Sequence, residues 1–125
     1  MLNQILLYVA ALICIVWGTA HVAATRPVVA LFGNLSNDNH WNIIMEWVAE
    51  GLTYIFLGLL VVAVTLAQGL GTWPGITVYR GVALMLLVMA GWTLMSGARA
   101  SIIPNKVCPV VLSTAAVLLL AASIL

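Results

Sequence analysis

The chain has 125 residues, of which 65% are hydrophobic and 6% charged, and its mean hydropathy is +1.22. An ordinary soluble domain carries about 25% charged residues, so this composition excludes a typical water-soluble protein. The formal net charge of +1 leaves no basic patch or tail, which excludes nucleic acid as a partner.

Long uncharged stretches divide the chain into apolar segments, which cover residues 2–25, 51–79, 81–98 and 107–125. Each is close to the ~20 apolar residues that a helix needs to cross about 30 Å of hydrocarbon. The sequence therefore predicts an all-α fold. We expect a four-helix transmembrane bundle that forms one integral membrane domain over residues 1–125, with the lipid bilayer as its surroundings.

Local signals place the helices at about residues 3–25, 41–67, 74–98 and 104–125. The first ends before Arg26-Pro27, because proline disfavours helical geometry in the residue before it. The connection that follows contains Ser36-Asn37-Asp38-Asn39, which are turn and N-cap residues. Pro74 suits the first turn of the third helix.

Four crossings place the first and third connections on one side of the membrane, called side B, and both termini on the other, side A. Side B then holds Arg26, Arg99 and Lys106, whereas side A holds Arg80. The positive-inside rule predicts that side B is cytoplasmic and that both termini are not. Trp41 and Trp47 fit an interfacial aromatic belt near side B.

Polar residues inside the spans fall on helical stripes that gather toward side B. The stripes are Cys14, Gly18, His21 and Thr25; Glu46, Glu50 and Thr53; and Met85, Met89, Trp92, Ser96 and Arg99. Spacings of three and four place each set on one helix face. The fourth helix offers a face of small and medium residues, namely Cys108, Val111, Ala115, Leu118 and Ala122.

Ionisable groups at this depth usually face the interior of a bundle and are paired or hydrated. One hypothesis is structural: Glu50 and Arg99 form a buried ion pair, within a polar cluster that includes Glu46 and Ser96, and His21 hydrogen-bonds Glu46 or Glu50 without any ligand. The other is functional: His21, Glu46 and Glu50 bind a divalent metal or the head group of a quinone.

Other cofactors and chemistries have weaker sequence support. Haem ligation by His21 and His40 is not expected, since His40 falls in a polar connection. The paired Glu-x-x-His motifs of a di-iron bundle are absent. No Ser/His/Asp arrangement or Gly-rich phosphate loop is present, so no catalytic residue is predicted and a non-enzymatic role is favoured.

The first helix ends in Gly18-Thr19-Ala20-His21, and the second begins with the charged segment Met45-Glu46-Trp47-Val48-Ala49-Glu50-Gly51. In these features and in its four short helices the chain resembles the DoxX-like small bacterial membrane proteins. The resemblance implies a bacterial or archaeal inner membrane. Some members of that group are membrane subunits of quinone-linked oxidoreductases.

The leading functional hypothesis is a non-catalytic accessory subunit that packs against other membrane subunits or against itself. Gly51, Gly58 and the small-residue face of the fourth helix are the expected contact surfaces. The alternative is a redox, metal or quinone-linked subunit with its site at His21, Glu46 and Glu50. A small channel or carrier is a second alternative, although residues 55–64 and 110–125 provide little polar lining.

Overall fold

The computed structural model describes residues 1–68 and 71–124, which are almost entirely helical and contain no strand. The elements are α1 (Leu2–Ala23), α2 (Thr25–Ala30), α3 (Asn37–Gln68), α4 (Trp73–Met95), a 3-10 turn (Gly97–Arg99) and α5 (Ile103–Ile124). α1, α3, α5 and the segment Trp73–Arg99 are long and apolar enough to cross a membrane. The predicted all-α, four-helix transmembrane bundle is confirmed, and its composition is that of an integral membrane protein.

The ends of the helices differ from the predicted ones for local reasons. α3 begins four residues earlier than expected, because Ser36 Oγ accepts a hydrogen bond from the Asn39 amide at 3.2 Å. Residues after Ala24 form the short α2, in whose first turn Pro27 needs no hydrogen-bond donor. α4 ends at Met95 rather than near residue 98. The last predicted residue of the fourth helix, Leu125, lies outside the described residues.

The four long helices are closely packed except between α3 and α4. α1 packs against α3 and α5, α5 also packs against α4, and α3 and α4 make few contacts with each other. The buried core draws on all four spans and includes Leu7, Ala10, Cys14, Tyr54, Val61, Leu86, Leu112, Ala115 and Leu119. At side B, Val28, Trp47 and Ile102 form a smaller buried cluster, which places the first and third connections at the same end of the bundle.

Close backbone approach between α1 and α3 depends on glycine. A Cβ added to Gly18 would lie 2.5 Å from the Gly51 carbonyl oxygen, and one added to Gly58 would lie 2.7 Å from that of Ala11. A Cβ on Gly51 would lie 3.1 Å from His21 Cβ, so this contact sets His21 directly against α3.

Gly51, Gly58 and the small-residue face of the fourth helix were predicted to contact other subunits, and this prediction was wrong. Gly51 and Gly58 are buried against α1 within the bundle. On the small-residue face of α5, Cys108, Ala115 and Ala122 are buried as well. These residues pack the bundle itself, because small side chains allow its helices to approach closely.

Candidate functional site in the cleft between α3 and α4

His21 is held in one orientation by side chains of α3. Its ring stacks on that of Trp47, with ring centres 3.8 Å apart and planes inclined by 11°. Trp47 Nε1 donates a hydrogen bond of 2.7 Å to the His21 carbonyl oxygen. Tyr54 presents its ring at a right angle, with centres 5.7 Å apart. The imidazole is therefore fixed, and only 5% of the residue is exposed.

Glu50 connects His21 to two further side chains. Its Oε2 lies 3.5 Å from His21 Nε2, and its Oε1 accepts a hydrogen bond from the Tyr54 hydroxyl. Tyr54 Oη also lies 3.4 Å from Cys108 Sγ on α5. These contacts join α1, α3 and α5 through polar groups in an otherwise apolar core. Such a buried network stabilises the fold only when its members find partners.

One atom of this network is incompletely satisfied. The contact from His21 Nε2 to Glu50 lies within ion-pair distance, but Nε2 makes no well-aligned hydrogen bond to any described residue. The buried Trp17 Nε1 likewise has no hydrogen-bond acceptor among the described residues. Both residues line a cavity of about 120 Å³ between the ends of α1 and α5. A cavity of this size has room for water.

On its other side, Glu50 faces a cleft between α3 and α4. Its side chain is 32% exposed there, and the cleft has a volume of about 390 Å³. The cleft opens where α3 and α4 make few contacts. Its lining combines aromatic, apolar and polar side chains, namely Phe32, Ile43, Glu46, Trp47, Glu50, Met89, Trp92, Thr93, Ser96, Gly97 and Asn105.

The structure brings some predicted site residues together and separates others. Glu46 and Ser96 line the cleft with Glu50. Arg99 does not join them, and within residues 1–68 and 71–124 the only acid–base contact shorter than 4.0 Å is His21–Glu50. The expected ion pair between Glu50 and Arg99 therefore does not form. α4 ends before Ser96, so Arg99 lies in the 3-10 turn and no longer follows the helical spacing.

The metal and haem hypotheses depend on where the histidines and glutamates lie relative to one another. In the described part of the chain, no three His, Cys, Asp or Glu side chains gather as a metal-ligand set. His21 meets Glu50 in the interior, while Glu46 is exposed on the cleft wall. His40 lines a separate groove beside α2, ten residues, or about 15 Å, along α3 from Glu50.

Two site residues were missed by the sequence analysis. Trp47 was assigned to the interfacial belt, yet it is buried against His21. Thr53, and not Tyr54, was placed on the predicted polar stripe. The Thr53 hydroxyl instead donates to the Ala49 carbonyl of its own helix. The spacing 47, 50 and 54 follows the three-four pattern of one helix face, so that signal was present.

The arrangement gives Glu50 two roles. Its carboxyl group can accept a hydrogen bond or a proton from a group in the cleft, while His21 and Tyr54 hold it from inside the bundle. Compared with known proteins, the chain matches no family model, no curated protein and no solved structure. The resemblance to DoxX-like proteins stays a prediction.

Proposed function

We propose that this protein is a small, non-catalytic membrane subunit that binds the head group of a quinol, the reduced form of a quinone, between α3 and α4. The observation that carries the proposal is the position of Glu50, which faces the cleft on one side and contacts His21 and Tyr54 on the other. A lipophilic ligand can enter from the bilayer, because the cleft opens between two membrane-spanning helices.

The two carboxylates of the cleft favour a ligand that donates hydrogen bonds. Glu46 and Glu50 are acceptors when ionised, and apart from His21 no basic side chain in the described ranges lies within 4.0 Å of either. Quinol hydroxyl groups donate, whereas the carbonyl groups of an oxidised quinone only accept.

A divalent metal is the alternative occupant of this site. Protein sites for transition metals usually supply three or four side-chain ligands. Here His21 and Glu50 meet, and no third His, Cys, Asp or Glu from the described residues completes a set. The aromatic side chains of Phe32 and Trp92 suit a ring-shaped head group better than a hydrated ion.

The test is ligand binding by the protein in lipid nanodiscs, measured by calorimetry with a short-chain quinol. We expect saturable binding that Glu50→Gln weakens about 10- to 100-fold, because a hydrogen bond to a charged acceptor contributes about 1.5–3 kcal/mol. The oxidised quinone should bind more weakly than the quinol. Asp38→Asn is the matched control, since Asp38 lies in the first turn of α3 and does not line the cleft.

Two results would contradict the proposal. One is an absence of saturable quinol binding by the unmodified protein. The other is equal affinity in the Glu50→Gln and Asp38→Asn variants. Stoichiometric metal in the purified protein, lost in Glu50→Gln, would favour the metal alternative instead.

A packing role is the second candidate, and a stripe on α4 favours it. Gly81, Leu84, Val88, Gly91 and Met95 are all exposed and follow a three-four spacing. A Cβ added to either glycine would meet nothing within 4 Å, so another helix can approach closely here. The stripe is a candidate contact for a second copy or for another membrane subunit, and it is compatible with ligand binding in the cleft.

For localisation, we propose the inner membrane of a bacterium or archaeon, with side B cytoplasmic and both termini on the non-cytoplasmic side. The resemblance to DoxX-like proteins supports the choice of membrane. The excess of Arg and Lys at side B supports the orientation.

A further inference from the structure

A second groove lies at side B between α2 and the first turns of α3. Its volume is about 630 Å³. It is lined by Thr25, Arg26, Val29, Ala30, Gly33, His40, Trp41 and Ile44. None of these residues lines the cleft described above. The groove is therefore a separate feature of the molecule.

The groove is lined by one cationic side chain and one imidazole, and the N-terminal end of α3 lies next to it. Arg26 has no carboxylate within 4.0 Å among residues 1–68 and 71–124. His40 adds a second nitrogen-bearing side chain. The N-terminal end of the 32-residue α3 contributes the positive end of its helix dipole. Asp38 is the one acidic residue in the first turn of α3, and it is not part of the lining.

The rest of the lining is mainly apolar. Ala30 and Ile44 form an aliphatic surface, and the Trp41 side chain is exposed beside them. α2 is held in place by its buried residues Val28 and Val29. Tryptophan with apolar neighbours is typical of the boundary between head groups and acyl chains.

We propose that this groove binds an anionic phospholipid of the surrounding leaflet. The Arg26 guanidinium forms charge-assisted hydrogen bonds with the lipid phosphate, and an acyl chain lies along the aliphatic wall. A free phosphate ion would leave that wall unused. A zwitterionic lipid would bring a second positive charge to a groove that already holds Arg26 and the end of α3. This proposal does not depend on quinol binding in the cleft.

The test is native mass spectrometry of the protein released from nanodiscs made of equal parts phosphatidylglycerol and phosphatidylcholine. We expect the unmodified protein to retain phosphatidylglycerol in preference to phosphatidylcholine. Arg26→Gln should reduce that preference about tenfold or more, and Arg26→Lys should reduce it less. Arg80→Gln is the matched control, because Arg80 is exposed at the opposite end of the bundle and donates to Ser123.

Circular dichroism of each variant checks that the helices are retained, as the exposure of Arg26 leads us to expect. Equal preference in Arg26→Gln and the unmodified protein would overturn the proposal. Equal losses in Arg26→Gln and Arg80→Gln would also overturn it, since they would reflect net charge alone. Displacement of the lipid by inorganic phosphate would identify a free anion as the occupant and reject the lipid.

Discussion

At the scale of single residues, Trp47 determines how His21 is presented. It stacks on the imidazole and donates a hydrogen bond to the His21 carbonyl. We expect Trp47→Phe to keep an aromatic contact but lower the free energy of unfolding by about 1–2 kcal/mol, because the hydrogen bond and part of the buried area are lost.

Denaturation by SDS in mixed micelles measures this effect, with Trp73→Phe as the control. Trp73 is 80% exposed, so its replacement should change the free energy of unfolding by less than about 0.5 kcal/mol. Equal losses in the two variants would show that Trp47 has no special part in positioning His21.

The sequence predicted part of the site and missed the rest for a physical reason. Helical spacing placed His21 and Glu50 on interior stripes, and they do meet. Which side chains of neighbouring helices touch depends on how closely and at what rotation those helices pack. That geometry is set by the contact between Gly18 and Gly51, which spacing along one chain does not reveal.

At the scale of elements, the four spans follow from length and hydropathy, whereas the short elements do not. α2 has only six residues, too few to form a stable helix alone, and is held by packing of Val28 against Trp47 and Ile102. The end of α4 depends on Ser96, whose amide and hydroxyl both donate to the Trp92 carbonyl. Such tertiary and local contacts hardly change the hydropathy of the sequence, so hydropathy does not predict these short elements.

The exposed stripe on α4 gives a prediction about association. Gly91→Ile should weaken self-association about tenfold, because the larger side chain prevents close helix approach. Its effect on the folded monomer should be small, since a Cβ at Gly91 meets nothing within 4 Å. Energy transfer between labelled copies in detergent measures the dissociation constant. Ala63→Ile, on an exposed position of α3, is the control. Equal dissociation constants for these two variants and the unmodified protein would remove the stripe as a surface for self-association.

At the scale of the whole molecule, α3 and α4 are joined near side A and separated toward side B. Near side A, Thr65 Oγ and Tyr79 Oη are 3.0 Å apart and link α3 to α4. Toward side B the cleft separates these two helices. The polar groups of the cleft and the groove beside α2 therefore share one membrane surface, and the orientation of the chain decides which compartment that surface faces.

Cysteine labelling of intact spheroplasts tests this orientation. The natural cysteines Cys14 and Cys108 are buried and unpaired, so the unmodified protein provides a low background. We expect a membrane-impermeant maleimide to label Gln68→Cys, at the exposed end of α3 on side A, without permeabilisation. Asn34→Cys, in the exposed connection on side B, should react only after the membrane is opened.

The reason for this expected orientation is the excess of Arg26, Arg99 and Lys106 at side B over Arg80 at side A, which favours retention of side B in the cytoplasm. The reverse labelling pattern would place the mouth of the cleft on the outer surface and reject the proposed topology.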